Sequence, residues 1–401
     1  MAVCANGSKG VLDAPSQTHV ASTPGGDSAS CFTMIGRFVR QGCATLVGFA
    51  ALLASVAFPR VAHAGNMDPT PERLVVQPPG LPPGQTCQSV ARDPGALVSA
   101  GLRPQDFPCR PDNPAFANLV SELGFAIAPS AFTPARTTGV GGFQMSVEAS
   151  YTRISSDRSY WHLGTRGQKD SSTNTQSIVN ASPDSLIQVY ALKVRKGLPY
   201  GFELAGSFGF IANTELWVGG GDVRWAMLEG FRTGVLGYLP DVSIGGGVRT
   251  VVGDSRFYLT TVGIDVKASK PIPIADSSQL IPSIGYQRLI IYGDSNVVDS
   301  TPNVDALREC GYNGIDPASG APICRNNLPN GQPNTVDFAN TFTFQKVRVH
   351  RNRGLVSLHY RYEILWLGSQ FSFDITDPKD ENPFLVGNRQ WTLSFEGGVF
   401  F

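Results

Sequence analysis

The chain has 401 residues, 32 of them Lys or Arg and 32 Asp or Glu, with 42% hydrophobic, 10% aromatic and only 16% charged positions. Zero net charge and the lack of a basic cluster leave no electrostatic case for nucleic acid, and the charge content is below the roughly 25% of an ordinary soluble domain. Glycine is abundant at 44 residues, and the length suits one large β domain or two ordinary ones.

Residues 1–33 are rich in Ser and Gly and stand upstream of a complete export signal, so they read as a non-native extension with Met34 as the start. Residues 34–64 form that signal. Arg37 and Arg40 make its basic part, Cys43 to Phe58 its apolar part, and Ala62-His63-Ala64 the small-residue cleavage site. The apolar run is shorter than the roughly 20 residues of a spanning helix. Cleavage after Ala64 is expected, rather than retention as an anchor. Four cysteines then remain: Cys87, Cys109, Cys310 and Cys324. In an oxidising compartment an even number favours two disulfides, and the local pairs Cys87–Cys109 and Cys310–Cys324 are the economical choice among those open. No Cys or His spacing calls for zinc, and no cofactor is expected.

Residues 65–138 read as a periplasmic segment. The Pro- and Gly-rich stretch at 75–86 suits an extended linker. It is followed over 115–129 by Phe116, Leu119, Val120, Leu123 and Ile127 at helical spacing, stopped by Pro129. From Gly139 to Phe401 the pattern changes to period two. Phe143, Met145, Val147 and Tyr151 alternate with polar residues, as do Phe202, Leu204 and Phe208, then Tyr258, Val262 and Ile264, then Val356, Leu358, Tyr360 and Tyr362. Weaker alternation lies near 185–195, 215–228, 240–252, 279–292 and 369–376, and the last run ends on Phe401. That makes about ten strands, an even number as in single-chain bacterial barrels. Short connections at 195–201, 270–276 and 364–368 oppose longer ones at 155–184, 293–340 and 377–388, although two connections on that second side, near Asn213 and Asp254, are also short. The expected fold is all-β, a transmembrane antiparallel up-and-down barrel of about ten strands preceded by a short helix. The competing soluble β-sandwich also alternates, but it does not call for aromatics at strand ends on the apolar face, where Tyr151, Trp217, Tyr258, Trp391 and Phe401 stand.

The terminal "QWTLSFEGGVFF" resembles the C-terminal signature of Gram-negative outer-membrane barrels. The resemblance implies an outer-membrane address, lipid as the surrounding partner, and Phe401 as a signal read by the barrel-assembly machinery. It is silent on activity.

On the polar parity stand Glu148, Glu203, Arg224, Arg249, Asp265, Lys267, Arg361, Glu363 and Glu396. All are expected to point into a bore that, at about ten strands, is narrow enough for side chains to bridge. Catalysis is not expected. His162, His350 and His359 carry no motif, and "GDS" at 253–255 and 293–295 is ordinary turn chemistry. A rim-active hydrolase is therefore the third reading, after a structural or porin-like barrel and a passive transporter of hydrophobic solutes. The transporter reading rests on Asn113-Pro114-Ala115, which resembles the motif in the N-terminal hatch of outer-membrane fatty-acid channels. The plainer reading of the same residues is a linker capped by Asn113.

Overall fold

The computed structural model describes residues 65–92, 100–102, 106–169, 177, 179–230, 238–275, 277–302, 312–315, 317, 322–324 and 341–401. Ten long strands carry the architecture: β1 (Phe143–Arg153), β2 (Leu186–Gly197), β3 (Phe202–Ile211), β4 (Trp217–Leu228), β5 (Asp241–Val252), β6 (Phe257–Ser269), β7 (Ser278–Ser295), β8 (Val347–Tyr362), β9 (Leu365–Asp374) and β10 (Trp391–Phe400). Each pairs antiparallel with its neighbours in sequence. Strand β10 returns to β1, from Thr392↔Thr152 to Phe400↔Gln144, which closes the barrel.

Period-two alternation fixes which face each side chain takes. Phe208, Ile264 and Leu367 on the outer wall are 57%, 54% and 52% exposed, whereas Glu203, Asp265 and Lys267 on the opposite parity are buried. A wall this apolar on its outside and this charged within is the inverse of a soluble domain and is the pattern of a membrane barrel. The outer aromatics toward the long-loop end gather in two groups of ring contacts. Phe371 meets Trp391 in one; in the other Tyr151 meets both Phe395 and Tyr190, and Tyr190, Phe210 and Trp217 continue it, with ring centroids 5.6–6.4 Å apart. This is the girdle expected where a barrel wall meets lipid headgroups. No helix among the described residues is long and apolar enough to cross a membrane.

Several boundaries differ from the sequence reading. Strand β8 begins at Val347 rather than near Val356, because charged residues at both parities mask its first half. The 364–368 stretch is mostly strand, and the connection itself is Glu363 and Ile364. Positive φ at Glu363 (47°) lets the chain reverse there.

The larger correction concerns residues 65–112. They do not form a plain extended linker, and they do not lie at the short-turn end where β1 begins. They sit at the opposite, long-loop end. There Met67 N–H donates to Asn213 O at 3.1 Å, Pro69 bridges to Thr165, and Val75–Val76 pairs with Arg110–Pro111. The Cys87–Cys109 disulfide closes this segment over helix α1 (Cys87–Arg92). Cys310 lies outside the described residues, so the Cys310–Cys324 pair does too. Helix α2 (Asn113–Ile127) then enters the lumen, and residues 128–138 descend in extended form to the short-turn end. The first long connection carries α3 (Ser159–Gly164), which packs on α2.

Candidate functional site: the filled lumen

The apolar face of α2 makes the core of the molecule. Phe116, Leu119, Val120, Leu123 and Ile127 pack with Ile187, Ile211, Val218, Val251, Phe257, Leu259, Ile291 and Val349, the inward residues of the long-loop half of the wall. Phe116 stacks on Phe344 at 4.3 Å and meets Phe257 edge-on at 6.1 Å. Contact is close enough to require glycine. A Cβ on Gly124 would lie 2.3 Å from Ile291 Cγ2, and one on Gly293 would lie 2.5 Å from Val120 Cγ1.

The other face of α2 is polar and fully partnered. Asn118 Oδ1 accepts from Val386 and Gly387 N–H, and its Nδ2 donates to Phe384 O. Glu122 accepts from Ser155 N–H at 2.9 Å, Tyr160 O–H at 3.0 Å and Trp161 Nε1–H at 2.8 Å. Burial, reinforced by the Glu122 carboxylate, holds the Tyr160 phenol well above its ordinary range. Arg351 donates to Ser121 Oγ and forms an ion pair with Asp374.

Below the helix the wall becomes charged, and its donors seize main-chain carbonyls of the descending segment. A helix C-terminus and an extended chain without sheet partners leave carbonyls that must be satisfied when buried. Thr261 Oγ1 donates to Gly124 O, and Arg353 Nη2 and Gln287 Nε2 donate to Pro129 O at 2.6 and 3.1 Å. Gln370 takes Ser130 O at 2.6 Å, Lys267 takes Ala131 O and Thr133 O at 2.6 and 2.7 Å, and Arg224 takes Pro134 O at 3.0 Å. Cationic donors at the negative end of α2 are also favoured by its macrodipole.

Of the residues expected in the lumen, Glu148, Glu203, Arg224, Arg249, Asp265, Lys267 and Glu396 are buried and inward. Glu148 meets Lys193 at 3.4 Å, Glu203 meets Arg195 at 2.9 Å and Arg224 at 3.8 Å, Arg249 meets Asp222 at 2.6 Å, and Lys267 meets Asp265 at 3.7 Å. Glu396 makes no close ion pair among the described residues and accepts from Gln144 and Ser146. Arg361 is half-buried at the short-turn mouth, its guanidinium 4.0 Å from the Phe400 ring centroid. Glu363 lies in the connecting turn, exposed, because β8 ends one residue before it. Asn113 does not cap α2. Its Oδ1 accepts from Gln345 N–H, and Asp112 is the cap, accepting from Ala115 N–H at 3.0 Å, with Pro114 at the start of the helix. Phe401 pairs its backbone with Phe143 at the seam.

Sequence reading missed Glu122, Asp222, Arg351, Arg353, Asp374 and Gln287. The period-two parity of Arg351 and Arg353 with Val349 was the available signal for two of them. Of the histidines, His162 Nδ1 lies 2.6 Å from Asn180 O, and His359 packs between the rings of Phe132 and Trp366 at 5.2 and 5.0 Å. Among the described residues, no cluster of His, Cys, Asp and Glu is placed to hold a metal.

The long-loop end is clamped to the chain that precedes α2. Arg166 meets Asp68 at 3.1 Å and Arg256 meets Glu72 at 3.0 Å. Burial raises the Asp68 carboxyl, and the carboxylates around Arg256, Asp254 first, raise its guanidinium.

No family model and no curated protein matches this chain. Among solved structures it is similar to Ail, the attachment invasion locus protein of Yersinia pestis, at 10% identity and a TM-score of 0.23, covering 65% of this chain and 99% of that one. It is also similar to OprG of Pseudomonas aeruginosa, at 9% identity and a TM-score of 0.22, covering 67% and 99%. The transport unit of the Escherichia coli autotransporter AIDA-I aligns at 6% identity and a TM-score of 0.29, covering 72% and 99%.

Proposed function

We propose that the protein is an exported outer-membrane barrel whose own segment 113–138 is a resident plug, so that it serves as a closed, charge-bridged structural barrel rather than a steady porin. The observation that carries this is the row of wall donors on plug carbonyls: Arg353 and Gln287 on Pro129 O, Lys267 on Ala131 and Thr133 O, and Arg224 on Pro134 O. A hydrogen bond to a charged group contributes about 1.5–3 kcal/mol, and the row of them supports a segment held in the lumen. The reading involves no catalysis. An even strand number puts both ends of the barrel sequence on one side, which on this reading is the periplasm, with the long loops outside.

A second reading, passive passage of a hydrophobic solute, is favoured by one feature. The long-loop half of the lumen is lined by Ile187, Ile211, Val218, Val251, Leu259, Ile291 and Val349, an apolar vestibule of the kind a greasy solute would need once α2 moved. A Val120→Cys/Gly293→Cys variant tests both readings. A Cβ on Gly293 stands 3.2 Å from that of Val120, near the roughly 3.5–4.5 Å of a disulfide. In proteoliposomes the oxidised and reduced forms should both exclude a small sugar. Swelling at porin rates in either form would overturn the structural reading. A long-chain fatty acid that enters only after reduction would establish the second.

A further inference from the structure

Beside the β1–β10 seam, the long-loop rim of the wall holds a cleft of about 640 Å³ lined by Arg153, Ser155, Asp157, Arg389 and Trp391, among others. Arg153 is the last residue of β1 and follows the outward parity of Tyr151. The register sets it one step beyond the pair Thr392↔Thr152, against Trp391 at the start of β10. Arg389 stands two residues before Trp391. Both arginines are exposed. Neither guanidinium makes an ion pair or a hydrogen bond among the described residues, while the nearby Asp157 already faces Arg158 at 3.9 Å.

The height of the cleft on the wall is what gives it meaning. Trp391 and Tyr151 belong to the aromatic groups that mark the headgroup level. The cleft opens directly above them, where the wall leaves hydrocarbon. Two unpaired guanidiniums there have the planar donor geometry that suits phosphate oxygens, and a half-buried indole beneath them suits the apolar part of an amphipathic molecule. Inside the barrel and at its clamps, by contrast, Arg195, Arg249, Arg256 and Arg351 are paired with carboxylates. The seam arginines are left for something outside the chain.

We propose that this cleft binds the phosphorylated head of an outer-leaflet lipid, a phosphorylated glucosamine glycolipid, with Arg153 and Arg389 on the phosphate and Trp391 against the adjoining acyl region. The proposal rests on the outer-membrane orientation argued above and not on the state of the plug, so an open lumen would leave it standing. Its consequence is a lipid fixed at the strand pair that closes the barrel.

Native mass spectrometry of the full chain in a neutral maltoside micelle tests it with three probes: diphosphorylated lipid A, phosphatase-treated lipid A and inorganic phosphate. Wild type should retain a single diphosphorylated lipid A and hold the dephosphorylated form about tenfold more weakly, since charge-assisted contacts are roughly twice as strong as neutral ones. Arg153→Gln/Arg389→Gln should lose about tenfold in retention, with heat-modifiable migration showing that its barrel is folded. Lys196→Gln, on the outer wall at the short-turn end, should retain the lipid as wild type does. Equal retention of the two lipid A forms would overturn the proposal. So would undiminished binding by the double variant, or displacement of lipid A by an equal concentration of inorganic phosphate. The phosphatase arm uses wild type alone, so it decides the matter even if the double variant fails to fold.

Discussion

Glu122 is the residue on which the seating of α2 in the lumen turns. Its carboxylate is the common acceptor for Ser155 N–H, Tyr160 O–H and Trp161 Nε1–H, which ties α2 to the first long connection. Substituting Ala would leave three buried donors without a partner. A lost charged hydrogen bond costs about 1.5–3 kcal/mol and an orphaned donor adds to that, so Glu122→Ala should lose about 3 kcal/mol in guanidinium unfolding monitored in detergent. Glu122→Gln keeps one acceptor and the shape, and should fall between the two. Wild-type stability in Glu122→Ala would show that this contact does not hold the plug. In the sequence Glu122 stands with Asn118 and Ser121 on the polar face of α2, and helical periodicity alone assigns such a face to solvent. It is buried instead because the helix is surrounded on every side, a fact that belongs to the barrel rather than to the helix.

At the scale of elements, α2 and β7 are in contact through Gly124 and Ile291. A methyl group at Gly124 would meet Ile291 Cγ2 at 2.3 Å, so Gly124→Ala must displace the helix or the strand. Overpacking of this sort costs about 1–3 kcal/mol. Ile291→Ala alone should also destabilise, by about 2–5 kcal/mol through the cavity it leaves. The two together should cost less than their sum, because each removes the other's fault. Additive losses in a denaturant titration of the four proteins would mean that the helix does not lie against β7. The strands themselves were legible from period two, since a wall with lipid on one side and packed side chains on the other forces that alternation. Two things were not legible. The first half of β8 carries Arg348, His350 and Asn352 outward beside Arg351 and Arg353 inward, so no apolar parity marks it. The position of residues 65–112 was hidden because a Pro-rich segment has no periodicity to say which end of a barrel it covers. Its clamps, Asp68 to Arg166 and Glu72 to Arg256, are contacts between residues far apart in the chain.

For the molecule as a whole, the lumen is divided by chemistry: apolar around α2, charged around residues 128–138. A narrow bore was inferred from the strand count, and charges bridging across it were inferred from parity. What parity does not reveal is that several of those charges serve the main chain of residues 128–138. Arg224 and Lys267 each take carbonyls from it while Glu203 and Asp265 stand beside them. The central claim is therefore that the barrel is closed by its own chain, and planar-bilayer recording tests it most directly. The full chain should show little or no steady conductance, and the same barrel without residues 65–138 should open to long-lived channel steps. A large, steady, porin-sized conductance from the full chain would contradict the account.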